Sequence, residues 1–181
     1  MADRLLVLDV HGVIFTNPLV PFIAELAERI GRDRAEAVAT WHGRLRRPFW
    51  LGQLDVDGLW QAVAPGADGA ALTAELEERY EVGPLYRWLD GTDVPIWLLS
   101  NHRSDWLEAR LERFGLADRF ERVYVSDAIG QVKPEVEAFR FAQRQAGSRR
   151  ITYVDDKPGN VAAASAVFAR ALTVSEALET L

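Results

Sequence analysis

The chain of 181 residues is 49% hydrophobic and 27% charged, with a formal net charge of −6 and no cysteine. These figures suit one globular domain, or one domain with a sizeable insertion, and exclude thiol nucleophiles, thiolate zinc sites and redox dithiols. The acidic surplus gives no overall attraction to nucleic acid or anionic membrane, so neither is expected as a partner and any phosphate must be met by local groups.

After Met1-Ala2-Asp3-Arg4 the chain is continuously apolar only from Leu5 to Leu8, too short for the core of a signal peptide. No stretch reaches the length of a membrane helix, and the expected location is cytoplasmic. Residues 5–10 read as a first buried strand, short and partly β-branched, that runs out into Asp9-Val10-His11-Gly12. From about 16 to 81 no strand pattern follows. Instead Phe22, Ile23, Leu26 and Ile30, then Ala37, Val38, Trp41 and Leu45, then Leu72, Leu76 and Tyr80 recur at helical spacing, with a glycine- and proline-bearing loop over 64–71.

Strands resume at 95–100, which leads into Ser100-Asn101-His102. Ser104 is placed to cap the next helix, which runs through Leu107, Leu111 and Phe114 to Gly115. Residues 123–126 form a third strand; Lys133-Pro134 follows, with Pro134 expected to open a helix that ends at Gly147. A fourth strand at 151–154 leads to Asp155-Asp156, Pro158 suits the first turn of another helix, and residues 171–174 form the last strand. Strands alternating with helices imply parallel crossovers, hence a doubly wound, Rossmann-like α/β sheet formed by residues 1–15 and 85–181, with a helical insert at 16–84.

Ligands of such sheets gather beyond the carboxyl ends of the strands, where the four polar clusters converge. Carboxylates from two strands offer the hard oxygen ligands that Mg²⁺ prefers, while a serine hydroxyl and a lysine supply donors for phosphoryl oxygens. Gly12 would let a phosphate approach the backbone. Lys133 and Lys157 are the two lysines among 21 basic residues, so each marks a place where a compact ammonium was kept in an arginine-rich chain. Lys133 reads as functional and Lys157 as a surface residue. Adjacent carboxylates at 155 and 156, beside an apolar strand, repel unless a cation or donors compensate. Of Trp41, Trp50 and Trp60, at least two are expected in the core of the insert, and Arg44, Arg46 and Arg47 on a solvated face.

LLVLDVHGVIF, WLLSN, QVKPE and ITYVDDKPGNV, in this order, resemble the four motifs of the haloacid dehalogenase (HAD) superfamily and span residues 5–161. The helical insert resembles the small C1 cap of that family, and WLGQLDVDGLW a segment often found in such caps. The resemblance implies a Mg²⁺-dependent phosphatase or phosphotransferase acting on a small phosphorylated metabolite, as a monomer or homodimer. Asp9 would be the nucleophile that becomes an aspartyl phosphate. Ser100 and Lys133, with Gly12 and Asn101, would bind the phosphoryl group. Mg²⁺ would be held by the Asp9 carboxylate, the backbone carbonyl of His11 and the Asp156 carboxylate, with Asp155 direct or through water. Asn160 stands where relatives often carry an acid behind the metal ligands.

His11 departs from the pattern. Phosphatases of the family usually have a second aspartate two residues after the nucleophile, to protonate the leaving oxygen and activate water. Imidazole can do that work, although Mg²⁺ nearby disfavours imidazolium. Two alternatives therefore stand beside the phosphatase: a metal-independent 2-haloacid dehalogenase, against which Asp155-Asp156 argues, and a catalytically impaired binding or regulatory protein that keeps the scaffold.

Overall fold

Five short apolar runs form one parallel sheet in the order β3-β2-β1-β4-β5. They are β1 (Arg4–Leu8), β2 (Ile96–Ser100), β3 (Arg122–Val125), β4 (Arg150–Asp155) and β5 (Arg170–Thr173). The computed structural model describes residues 3–181. The chain divides into two units: Val82–Leu181 joined by the segment up to Thr16, and Asn17–Glu81.

In the first unit β1 and β2 are buried along nearly their whole length, which is why both read as unbroken apolar runs with no alternation. Connections from β1 to β2 to β3 step one way across the sheet, and the chain then returns past β1 to β4 and β5. The switch in direction falls between β1 and β4. Their register pairs Leu8 with Val154, so Asp9 and Asp155 leave the sheet at one level, and the Asp9 amide still donates to the Val154 carbonyl at 2.9 Å. That crevice is where a doubly wound sheet binds ligands. On one face Leu5, Val7, Trp97, Leu99, Ile151 and Tyr153 pack with Phe139, Ala142 and Ala146 of α8 (Val136–Ala146) and with Ala164 of α9 (Pro158–Ser165).

Three local expectations are corrected. The first strand stops at Leu8, because Asp9 and Val10 turn into a loop closed by bonds from the amides of Ile14 and Phe15 to the Val10 carbonyl. Ser104 does not cap α6 (Ser104–Arg113): it is the first helical residue, Arg103 holds the cap position, and the Ser104 amide and hydroxyl both donate to Asp127. Asp127 belongs to α7 (Ser126–Ile129), so an acid from a neighbouring turn meets the exposed amides of α6. Pro134 does not open α8, which begins at Val136; a turn closed by the Glu135 amide on the Val132 carbonyl holds Lys133 and Pro134 outside the helix.

In the unit Asn17–Glu81 the helices are α1 (Leu19–Arg29), α2 (Arg34–Thr40), α3 (Arg46–Trp50), α4 (Val56–Val63) and α5 (Gly69–Glu78), with a single π turn at Trp41–Leu45 before α3. Asp33, Asp55 and Asp68 cap α2, α4 and α5 through side-chain bonds to backbone amides. The Asp68 cap starts α5 inside the expected 64–71 loop and shortens it. Trp41, Trp50 and Trp60 are all buried: Trp41 meets Phe49 and Trp50 edge-on, as Trp60 meets Phe22 at 5.8 Å. Arg44, Arg46 and Arg47 are exposed. No helix among the described residues is long and apolar enough to cross a membrane.

Candidate active site

Asp9, just past the end of β1, is the centre of the polar cluster. Its Oδ1 accepts the Ser100 hydroxyl at 3.1 Å and lies 2.9 Å from the Lys133 ammonium, so β2 and the loop after α7 both converge on one carboxylate oxygen. Lys133 is buried, with a side chain 2% exposed, and its Nζ also donates to Asp155 Oδ2 at 2.8 Å and to the Tyr153 hydroxyl at 2.9 Å. Three acceptors match the three protons of an ammonium. A guanidinium could not converge on them from one atom, which is the physical reason for lysine in this arginine-rich chain.

Asp155 is the best-satisfied group of the cluster. Besides Lys133 it accepts from the Tyr153 hydroxyl, from the Lys157 amide at 2.8 Å and from Asn160 Nδ2 at 3.0 and 2.9 Å. Burial opposes its ionisation, but Lys133 and these donors outweigh burial and hold its carboxyl down at about 2. Burial pushes the Tyr153 phenol well above its ordinary range, and the carboxylates of Asp155 and Asp9 add to this; the phenol therefore stays a proton donor. Asn160 stands behind Asp155, bonded to both of its carboxylate oxygens.

Asp156 differs from its neighbour. It is exposed, its Oδ1 accepts the Lys157 ammonium at 3.2 Å, and burial, with Asp9 and Asp155 adding, raises its pKa. Asp9 is raised for the same leading reason, with Lys133 pulling it back. Burial works against the Lys157 ammonium, yet Asp9, Asp156 and Asp155 together raise it; the residue read as a bland surface lysine is electrostatically part of the cluster. Ligand oxygens of Asp9, Asp155 and Asp156 lie within 4.8 Å of one another. Three carboxylates that close, two of them with raised pKa values, form a donor set that a hard divalent cation would stabilise, so the residues fit Mg²⁺.

Gly12 has φ +76°, and a Cβ there would lie 2.5 Å from Asp156 Cγ. What the structure places against Gly12 is thus the Asp156 carboxylate. Asn101 donates its amide to the Lys133 carbonyl at 2.7 Å and accepts the Lys133 amide at 2.8 Å. Both its polar atoms clamp the main chain that presents the ammonium.

A buried arginine adjoins His11. Arg110, fully buried on α6, donates from Nη1 to His11 Nε2 at 3.2 Å and to His102 Nε2 at 2.8 Å, and the two imidazoles sit 4.6 Å apart. Burial, followed by the neighbouring basic groups, holds both histidines well below the ordinary 6.5. Arg110, Tyr153 and the role of His102 were not anticipated from the sequence. The signal was present for Arg110: it occupies the apolar stripe of α6, in line with Trp106, Leu107 and Leu111, where an arginine has no business unless it is bonded.

A family model described as haloacid dehalogenase-like hydrolase matches residues 4–167. The chain belongs to that family. This hydrolase is 26% identical to a sesquiterpene phosphatase of Aspergillus oryzae, over 96% of its own length and 91% of the relative's. It is 29% identical to a phosphoglycolate phosphatase of Pseudomonas putida over 90% of its length, and spans 66% of that enzyme. Among solved structures, a HAD family enzyme of Bacteroides thetaiotaomicron in complex with magnesium and inorganic phosphate superposes with a TM-score of 0.74 at 21% identity, over 94% of this chain and 93% of the other. That likeness concerns the fold.

Proposed function

We propose that this hydrolase is a Mg²⁺-dependent phosphatase of small phosphorylated metabolites, with Asp9 as nucleophile. The observation that carries the reading is one oxygen of a buried carboxylate held between the Ser100 hydroxyl and the Lys133 ammonium, with two further carboxylates beside it. Likeness to two phosphatases, and to a Bacteroides enzyme in complex with magnesium and inorganic phosphate, supports the same reading.

In this proposal Asp9 attacks phosphorus, the bond to the leaving oxygen breaks, and the electron pair departs with the leaving group, while an acyl phosphate forms on Asp9. Ser100 and Lys133 already converge on the attacking carboxylate, so they reach phosphoryl oxygens next to it with little reorganisation. Asn101 keeps Lys133 in place through its main chain, and Asp155 fixes the ammonium from behind. The Asp9 carboxylate, the Asp156 carboxylate and the His11 carbonyl would hold Mg²⁺, with Asp155 already engaged by donors and acting directly or through water. Bound there, the ion would supply positive charge to the phosphoryl group as negative charge develops on it. His11 takes the position at which the family usually has its second aspartate, and Asn17–Glu81 is the small helical cap of this reading. A cytoplasmic setting is part of it, in keeping with a cysteine-free chain.

Phosphate release from p-nitrophenyl phosphate, with and without Mg²⁺, tests the proposal: turnover should require the metal and vanish in Asp9→Asn. Halide release from 2-chloropropionate without metal would favour the dehalogenase instead. Inertness to both substrates with Mg²⁺ bound would favour the binding protein.

A further inference from the structure

The sheet has a second polar end, opposite the rim that carries Asp9. Three of its strands, β1, β4 and β5, begin with an arginine: Arg4, Arg150 and Arg170, all exposed. Register makes Arg4 and Arg150 direct partners, about 4.8 Å apart across the ladder, and sets Arg170 opposite Thr152, two residues further along β4. These four side chains share one face. Leu5, Ile151, Tyr153 and Ala171 pack into the core with α8 and α9, and side chains alternate along a strand, so Arg4, Arg150, Thr152 and Arg170 project from the other side. With Ile151 and Ala169 they line a cavity of 280 Å³.

The positive charge gathered there has no counterpart in the fold. Among the described residues none of the three guanidinium groups makes an ion pair or a side-chain hydrogen bond, and neither does the half-buried Thr152 hydroxyl. Arg170 helps to hold down the Glu176 carboxyl, but that carboxylate is bonded to the amide and hydroxyl of Thr173. Arg149, next in the chain, shows the ordinary arrangement: both its terminal nitrogens bond Glu121 and its guanidinium lies over the Trp97 ring. Like charges at register-paired positions repel and cost stability. A chain with a net charge of −6 nevertheless sets none of its carboxylates against these three cations.

We propose that this cavity is an anion site, separate from the Asp9 cluster, that takes a compact phosphate-type group of at least two negative charges: inorganic diphosphate, or the diphosphate end of a small molecule. Guanidinium forks bond phosphoryl oxygens in pairs, and Thr152 adds a neutral donor between two of them. A volume of 280 Å³ lies at the lower end of ligand pockets, which suits a small anion and not a bulky organic ligand. β4 runs about 16 Å from Arg150 to Asp155, so no group of the Asp9 cluster reaches an anion held here. The site binds its ligand without turning it over, and binding to the folded chain alone raises stability. It stands whether or not the phosphatase reading does.

Amide ¹H–¹⁵N shifts of the metal-free protein, titrated at constant ionic strength with inorganic diphosphate and separately with adenosine diphosphate, test the proposal. Saturable shifts are expected at Arg4, Arg150, Thr152 and Arg170. Arg150→Gln and Arg170→Gln, both outside the Asp9 cluster, should each weaken binding about 10–100-fold. Shifts confined to Gly12 and Ser100, no saturable shift at all, or native affinity in both variants would overturn the site. Equal affinities for the two probes would assign the diphosphate group alone, and tighter adenosine diphosphate would show that the remainder of a small molecule is also read; both uphold the proposal. Melting scans in chloride at the same ionic strength give an independent check. With repulsion relieved, Arg150→Gln should melt no lower than the native chain, and diphosphate should raise the native Tm more than the variant's. A lower-melting variant in chloride would show that the fold itself partners the guanidinium, and an equal rise in both would place the anion elsewhere; each would overturn the proposal.

Discussion

Replacing Lys133 with Met keeps the length of the side chain and deletes its charge, and the structure sets what that should cost. The ammonium is 2% exposed and bonded to Asp9 and Asp155, which are 4% and 0% exposed at their side chains. Removing one partner of a buried ionic cluster strands the remaining charges and typically costs about 3–5 kcal/mol. For a chain of this length that corresponds to a fall in melting temperature of about 6–20 °C. The origin of the loss can be checked by pH. In the native protein the Asp155 carboxyl is held at about 2 against an ordinary 3.8, a difference worth about 2 kcal/mol. A depressed acid stabilises above its unfolded pKa, so the native chain should lose that contribution only as pH falls from about 4 towards 2. In Lys133→Met the two buried carboxylates lose their cation and their pKa values rise, which favours the folded state as pH falls. The gap in melting temperature between native and variant should therefore be widest near neutrality and narrow towards pH 5. Calorimetric scans across that range decide the matter. A shift below about 2 °C, or a gap that does not change with pH, would refute the claim that the ammonium compensates buried charge.

Asp9→Asn should abolish phosphate release yet melt no lower than the native chain, since it removes a carboxylate whose ionisation burial already opposes; residual turnover above a trace in a deamidation-free sample would refute the nucleophile. Asp156→Ala should weaken Mg²⁺ binding in a calorimetric titration more than Asp155→Ala does, whereas Asp155→Ala should melt lower, because it removes one of the three acceptors of the Lys133 ammonium and the acceptor of Asn160 Nδ2; a reversal of either ranking would refute the division of labour. Gly12→Ala should lose about 1–2 kcal/mol from its left-handed backbone alone and should also displace Asp156, so a native Mg²⁺ affinity in this variant would remove Asp156 from the metal site. His11→Asp should change turnover of alkyl phosphates more than that of aryl phosphates, because only the alkyl leaving group needs a proton; equal effects on both would remove position 11 from proton delivery.

The parts of the site visible in the sequence are those dictated by the sheet. Strands buried on both faces must be apolar throughout, so the first polar residue after each apolar run marks the carboxyl end of a strand, and Asp9, Ser100 and Asp155 fall there. Boundaries set by tertiary bonds were not visible. Ser104 has the composition of a cap, but Asp127, distant in sequence, takes its amide and hydroxyl; Pro134 suits a first turn, but a turn closed on Val132 keeps it outside α8. The two adjacent acids were legible as a pair and not as individuals. Only their surroundings separate Asp155, which faces Lys133, Tyr153, Lys157 and Asn160, from the exposed Asp156. Lys157 shows the same limit from the other side: half exposed by area, it is drawn into the cluster by charges contributed from two strands. His11 is the case in which local chemistry misleads most. Taken alone, imidazole near neutrality is the side chain best suited to exchange protons. What meets its ring is a residue 99 positions away, on the buried face of a helix whose charged composition reads as solvated. A guanidinium bonded to both the His11 and the His102 ring is a neighbour that no local pattern around position 11 announces, because it comes from a helix after the second strand.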